Sequence, residues 1–386
     1  MPFGITQLVG TFGALCLLCP GGEELAFPVS TAAWTVNTGA FYSSFQRTTS
    51  SATGYPSLPD IRPLDGGDTT PHGLFLEVSR QEPPATGGVG SPGREIAAGM
   101  LVAPTHNEAV TGPIGDQPRL AATGDGRSES LWLKVRLPLG PSGSFEAAVD
   151  RPYFTEADVF TVGTDLYFNS YKRNLLSDVR NVVAGYRLRG EGWEAAVRGK
   201  WTSISTGYGT GYAFLNTAGK ALGGEADGAV RFGAWRLAAS VTFSSGTLST
   251  SGGFYPDFAP VSFEDAYRRT SGTLVVVRRW DRFSASLGIR GVRSQAPFWD
   301  AGGFTDSETY RMDEGRRLRS VSDDLLAAAT IGWRLSPNLW AAFSAEYHGG
   351  SDTTTLEPIT PGLSEVSFDS RRVGWSYVVG LQTRLP

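Results

Sequence analysis

The chain has 386 residues and a formal net charge of −4, with 19% charged and 40% hydrophobic residues. This acidic balance argues against a nucleic-acid-binding protein, which would carry a strongly basic face. After residue 20, no stretch approaches the roughly 18 uncharged apolar residues that a membrane-spanning helix needs. The composition therefore excludes a helical membrane protein.

The N-terminal segment MPFGITQLVGTFGALCLLCP is uncharged and ends in an apolar run from Ala14 to Cys19. Such a run predicts a secretory signal peptide, which we assign to residues 1–26. The segment departs from the usual signal pattern, because the first basic residue of the chain is Arg47.

Both cysteines, Cys16 and Cys19, lie in this segment. Their CxxC spacing is also found in redox and metal sites, but an apolar signal segment explains it better. We therefore expect the mature protein, residues 27–386, to be a single domain without disulfides. No haem-attachment motif or Cys/His metal cluster follows, so the sequence predicts no cofactor and no metal.

The remaining sequence repeats a hairpin of two alternating strands joined by a short turn. In the clearest copy, residues 325–347, one face of the first arm is apolar; its residues are Leu325, Ala327, Ala329, Ile331 and Trp333. The short turns fall near residues 141, 191, 233, 281 and 337. Alternation at period two predicts a sheet with one apolar and one polar side. Short turns at one end and long polar loops at the other predict a transmembrane β-barrel.

The hairpins extend to about fourteen strands, an even number with both chain ends on the short-turn side. The predicted strands are 31–46, 72–82, 93–104, 129–138, 143–150, 181–189, 193–206, 223–232, 235–247, 268–280, 282–294, 322–335, 338–349 and 370–385. Twelve or sixteen strands stay open as alternatives. One reason is that the segment VFTVGTDLYF, within residues 151–180, could itself form a strand pair.

A soluble β-sandwich also alternates, but these strands reach about ten residues, the length that crosses a bilayer. In addition, five of the ten tryptophans lie close to short turns: Trp193, Trp235, Trp280, Trp333 and Trp340. Aromatic rings gathered at one end of the strands are typical of a girdle at a membrane interface. Both features favour the membrane barrel.

Basic residues dominate the polar faces of these strands. The predicted lumen bases are Lys134, Arg136, Arg187, Arg198, Lys200, Arg231, Arg236, Arg290, Arg334 and Arg372, with Arg189, Arg282 and Arg384 beside them. The predicted inward acids are Glu146, Asp150, Glu194, Glu225, Asp227 and Glu346. Rings of Arg or Lys favour anions in a pore. The alternative is that the bases and acids pair across neighbouring strands and leave little net field.

Catalytic chemistry has little support in the sequence. The chain contains three histidines, and His348 with Ser351 is the one candidate for a base and nucleophile pair. Alternation places His348 toward the lumen, and no orienting residue follows it in the usual spacing. Asp323 and Asp324 begin a strand and are interpreted as solvated loop residues.

The architecture of residues 31–386 resembles that of Gram-negative outer-membrane porins and channels. The resemblance implies outer-membrane lipid and the barrel-assembly machinery as partners, and it leaves a trimer or other oligomer open. One departure is the end of the last strand, Leu385 and Pro386, where such barrels usually have a terminal aromatic residue.

Three functional hypotheses follow. The first is a channel for passive diffusion of small hydrophilic solutes, with a preference for anions as a finer expectation. The second is a closed structural or surface-interaction barrel that works through its extracellular loops. The third and weakest is a lipid-modifying barrel enzyme.

Overall fold

The computed structural model describes residues 33–53, 66–82, 93–110, 119–164, 167–210, 213–254, 259–296, 316–358 and 366–385. Fourteen antiparallel strands form a closed barrel in which each strand pairs with its neighbours along the chain and β1 pairs with β14. The predicted signal peptide lies outside the described residues. Among those that are described, no helix is long and apolar enough to cross a membrane.

The predicted strand number is confirmed. The strands are β1 Ala33–Thr53, β2 Gly66–Gln81, β3 Glu95–Val110, β4 Arg119–Pro138, β5 Gly143–Thr164, β6 Tyr167–Gly190, β7 Trp193–Thr210, β8 Ala213–Phe232, β9 Trp235–Phe254, β10 Ala259–Arg279, β11 Phe283–Ala296, β12 Arg316–Ser336, β13 Leu339–Pro358 and β14 Val366–Leu385. Most continue beyond the predicted bounds at the end away from the short turns. The segment VFTVGTDLYF does form a strand pair, but as extensions of β5 and β6, so it adds no strand.

The short turns lie where the sequence predicts them. Gly192 and Gly233 occupy the turns after β6 and β8 with φ of 75° and 61°. This left-handed region is strained for residues with a Cβ but open to glycine. These glycines therefore allow a hairpin to reverse within two residues, which fixes the register of its strands.

The outer wall of the barrel is an apolar band. Val241, Leu287 and Val379 project outward and are 51%, 68% and 54% exposed. On β12 the band runs from Leu325 to Trp333. A tilted strand needs about 9–11 residues to cross a bilayer, so this length is sufficient. A continuous exposed apolar band of this height requires lipid around it.

Tryptophans mark the short-turn edge of the band. Trp193, Trp235, Trp280 and Trp333 are exposed there, and Trp34 joins them. The prediction is wrong for Trp340. Its side chain is only 9% exposed and lies on the inner face of β13, the face that also carries Ala342 and Ser344. Closeness to a turn does not decide which face a residue takes, because the face follows from the alternation of the strand.

Candidate functional site

The lumen is the candidate site, because the polar faces of all fourteen strands meet there. The strand alternation places the ten predicted lumen bases on the inner side, with Arg231 and Arg334 exposed at its short-turn edge. Most bases deeper in the barrel are covered, since the side chains of Arg187, Arg198 and Arg236 are 12%, 13% and 14% exposed, whereas that of Lys134 is 45% exposed. Their environment is therefore set by other side chains more than by open water.

Glu146 on β5 is the centre of a network of ion pairs. Its carboxylate accepts hydrogen bonds from Arg136 Nε at 2.8 Å, from Arg187 Nε at 2.6 Å and from Arg198 Nε and Nη2 at 2.9 and 2.6 Å. These arginines come from β4, β6 and β7, so one carboxylate joins four strands. Charge-assisted hydrogen bonds of this kind are stronger than neutral ones.

Two more acids extend the network toward the short-turn end. Glu194 contacts Arg187 Nη1 and Arg189 Nε, both at 3.2 Å, and pairs with Arg236. Asp227 contacts Arg187 Nη2 at 3.2 Å and pairs with Arg198. The predicted excess of positive charge is therefore compensated locally by carboxylates in this part of the lumen.

Two acids that the sequence analysis missed complete the network. Glu95 contacts Arg136 Nη1 at 2.9 Å, and Glu77 contacts Lys134 Nζ at 3.5 Å. Glu77 also accepts a hydrogen bond from Trp132 Nε1 at 2.7 Å. The signal for Glu77 was present in the sequence, because Leu74 and Leu76 take the outer face and the alternation then puts Phe75 and Glu77 on the inner one.

A second charged cluster lies on β12, β13 and β14. Nη2 of Arg372 contacts Asp324 at 2.9 Å, Asp352 at 2.8 Å and the hydroxyl of Ser322 at 2.7 Å. The interpretation of Asp324 as a solvated loop residue is therefore wrong. Its neighbour Asp323 faces outward and is exposed, because alternation separates the two carboxylates.

An apolar cluster fills part of the lumen. Phe41, Leu101, Ala103, Phe154 and Val378 are each at most 5% exposed, although they point inward from β1, β3, β5 and β14. Three further side chains pack against them: Phe75, Trp132 and Ala328. An inward phenylalanine in a wide water-filled pore would be accessible to water, so the burial of this cluster shows that the lumen is narrowed where it lies.

The aromatic rings of this region lie over glycines. Trp132 stands directly opposite Gly99 in the register of β3 and β4, and its ring occupies the space where a Cβ of Gly99 would be. Phe75 lies over Gly39 in the same way, across β1 and β2. Such pairs let large rings lie along the wall instead of projecting across the lumen. The glycines therefore control how far the rings narrow the passage.

A cavity of about 570 Å³ adjoins the ion pairs and the apolar cluster. Its lining combines ion-paired side chains, such as Glu146 and Arg198, with Phe75, Leu101 and Trp132. The cavity is large enough for a small solute. Its wall offers hydrogen-bonding groups of both charges beside apolar surface.

His348 faces the lumen, as predicted, but it contacts neither Ser351 nor an open cleft. The hydroxyl of Ser376 lies 2.9 Å from His348 Nε2, and a carboxylate oxygen of Glu346 lies 3.4 Å from the same nitrogen. A catalytic triad needs the acid at the other ring nitrogen. Ser376 is also 0% exposed, so a substrate could not reach its hydroxyl. Within the described ranges, no group of three or more His, Cys, Asp or Glu is arranged to hold a metal ion.

Comparison with known proteins supports the fold. No family model matches the sequence, and no curated protein matches it. Among solved structures, a FadL homologue of Pseudomonas aeruginosa is 13% identical with a TM-score of 0.50, over 91% of this chain and 90% of that one. The TodX monoaromatic hydrocarbon channel, as a deletion mutant, is 7% identical with a TM-score of 0.47, over 93% and 94%. The translocator domain of the autotransporter NalP from Neisseria meningitidis is 10% identical with a TM-score of 0.41, over 96% and 97%.

The closed barrel and its apolar outer band define the class of protein. The chain is a fourteen-stranded transmembrane β-barrel of the type that resides in the bacterial outer membrane.

Proposed function

We propose that the protein is a gated outer-membrane channel for small hydrophilic solutes. The observation that carries the proposal is the cavity of about 570 Å³ inside the barrel, bordered by the apolar cluster. An apolar constriction in a pore expels water and blocks ions until its side chains move apart. In this proposal the apolar cluster is the gate, and the lumen is a passage rather than an active site.

The ion pairs bear on selectivity. Arg136, Arg187 and Arg198 all contact carboxylates, and the acids Glu77 and Glu95 add negative charge that the sequence analysis omitted. This pairing weakens the support for a preference for anions. We therefore propose a channel with weak charge selectivity, and a preference for anions stays a prediction of the sequence alone.

A closed barrel that works through its extracellular loops is the second candidate. The observation that favours it is the coverage of Phe41 and Phe154, which leaves little room for water beside them. The two candidates differ in one property. A gated channel passes solute when its gate opens, whereas a closed barrel never does.

Solute uptake tests the proposal. Proteoliposomes that contain the purified barrel should swell in isotonic solutions of a small sugar and of a zwitterionic amino acid, faster than protein-free liposomes do. Reversal potentials in a KCl gradient should stay close to zero, and they should change little with salt because paired charges leave little field to screen. A large reversal potential of the sign that Cl⁻ selectivity produces, increasing at low salt, would support an anion-selective pore instead. Absence of swelling with every solute would favour the closed barrel.

A further inference from the structure

Six arginines face outward at the edge of the apolar band away from the short turns. We call them the basic collar; they are Arg127, Arg151, Arg180, Arg268, Arg293 and Arg371. All six are exposed, and each projects from the outer face of a different strand. Exposed guanidinium groups at this position meet the zone of lipid headgroups and not the hydrocarbon.

Outward arginines at both edges of the band contact aromatic rings. At the short-turn edge, the outward cations lie on aromatic rings: Arg278 is 4.9 Å from the ring centroid of Trp235 and 4.8 Å from that of Trp280. At the collar edge, Arg151 also lies over an aromatic ring, 5.8 Å from the centroid of Tyr153, and in addition Arg151 and Arg180 share one carboxylate, that of Asp178. The feature particular to the collar edge is therefore two outward arginines held by one carboxylate.

The most developed part of the collar is a pair of arginines on β5 and β6. Arg151 donates from Nε and Nη2 to the two oxygens of Asp178, both at 2.9 Å, and Arg180 donates from Nη2 to the same carboxylate at 3.0 Å. Asp178 thus holds the two guanidinium groups side by side, and the group of three keeps one net positive charge. The arginine side chains stay 48% and 58% exposed, so further donors are accessible.

On β5 and β6 the apolar band ends at this pair of arginines on the side away from the short turns. Arg151 follows Val149 on the outer face of β5, and Arg180 precedes Val182 on that of β6. Leu131 lies directly opposite Arg151 across the β4–β5 register. The arginines therefore reach down to the start of the apolar surface, where a lipid phosphate and the first part of its acyl chains would lie together.

We propose that Arg151 and Arg180 bind the phosphate group of an anionic lipid in the leaflet at the loop end of the barrel. Guanidinium groups bind phosphate oxygens through paired, charge-assisted hydrogen bonds, and these gain strength where water is scarce. The inference does not depend on whether the lumen conducts.

Lipid binding by the purified, folded barrel tests this proposal. The probe is diphosphoryl lipid A, added to the protein in neutral detergent and measured as bound lipid by native mass spectrometry. Dephosphorylated lipid A and inorganic phosphate are the comparison ligands. We expect the diphosphoryl form to bind, and the double variant Arg151→Gln with Arg180→Gln to bind about tenfold more weakly. The matched control is Arg80→Gln, an exposed outward arginine at the short-turn edge, which should bind like the native protein.

Several results would overturn the assignment. These are equal binding by the double variant, equal binding of the dephosphorylated lipid, or saturation of the site by inorganic phosphate at the same concentration. Loss of self-association in the double variant, with lipid binding intact, would make the surface an interface between copies of the chain. If the double variant does not fold, the single variant Arg180→Gln decides, because it leaves the bidentate pair of Arg151 and Asp178 in place. It should still lower the affinity several-fold.

Discussion

Arg198 on β7 donates two hydrogen bonds to one oxygen of Glu146 on β5, although β6 lies between these strands. Arg187 on β6 donates to the other oxygen of the same carboxylate. The ion pairs thus connect strands beyond the direct backbone ladder. They resist shear of the barrel wall in a way that backbone pairing between neighbours does not.

Replacing Glu146 with Gln should destabilise the barrel strongly. The change keeps the side-chain shape but leaves Arg136, Arg187 and Arg198 without their shared carboxylate, and breaking a buried ion pair costs about 3–5 kcal/mol. Unfolding by urea in lipid vesicles would measure the change. The control is Glu191→Gln, in the exposed turn after β6, which should lie within about 0.5 kcal/mol of the native protein. Equal stability of the two variants would mean that the network contributes little.

The two faces of β9 should differ in their tolerance of charge. Val241 faces outward and is 51% exposed, whereas Ser240 lines the lumen cavity. Val241→Arg places a charge in the lipid and should cost about 2–4 kcal/mol near the bilayer midplane. Ser240→Arg should cost much less, because the lumen is polar. Folding yield and urea unfolding in vesicles would compare them, and similar values would contradict the assigned faces.

The contact between Gly374 and the ring of Phe45 should not admit a methyl group. A Cβ on Gly374 would overlap that ring and lie 2.6 Å from the carbonyl oxygen of Ser44, so Gly374→Ala should cost about 1–3 kcal/mol. Gly291→Ala is the control, because a Cβ there meets nothing within 4 Å. Thermal unfolding in detergent would measure both. A neutral effect at Gly374 would indicate that the ring of Phe45 can move aside.

The parts of the fold that the alternation of apolar and polar residues determines were predictable from the sequence. Alternating apolar residues define the crossing part of each strand, and turn residues such as Gly192 and Gly233 define the short ends. Strand extensions such as residues 47–53, RTTSSAT, were missed, because no period-two apolar signal remains in a segment of this composition. Trp340 was misassigned because closeness to a turn was given more weight than the alternation.

The site was predictable only one strand at a time. Alternation identified Glu146 and Arg198 as inward residues, but their contact depends on the register across β5, β6 and β7, which no local pattern encodes. The aromatic–glycine pairs have the same origin, since Trp132 and Gly99 are far apart in the chain and meet through the β3–β4 register. The balance of charge in the lumen is therefore a property of the closed barrel.

The loop ends of the strands should face the cell exterior. Cysteine introduced at Ser251, near the end of β9, should react with a membrane-impermeant reagent on whole cells, because both native cysteines fall in the predicted signal segment. Cysteine at Asn338, in the turn before β13, should react only after the outer membrane is broken. The reverse result would invert the orientation. Thr305 and the loop around it lie outside the described residues.

Single-channel recording across planar bilayers tests the central claim, that an apolar gate closes a conducting lumen. The native barrel should show rare, brief openings. Phe41→Ala and Phe154→Ala, which remove rings that are 4% exposed in the lumen, should conduct more often or continuously. Phe343→Ala, on the outer face, should behave like the native protein. Silence of all four proteins at every voltage, with the barrels folded, would contradict the channel.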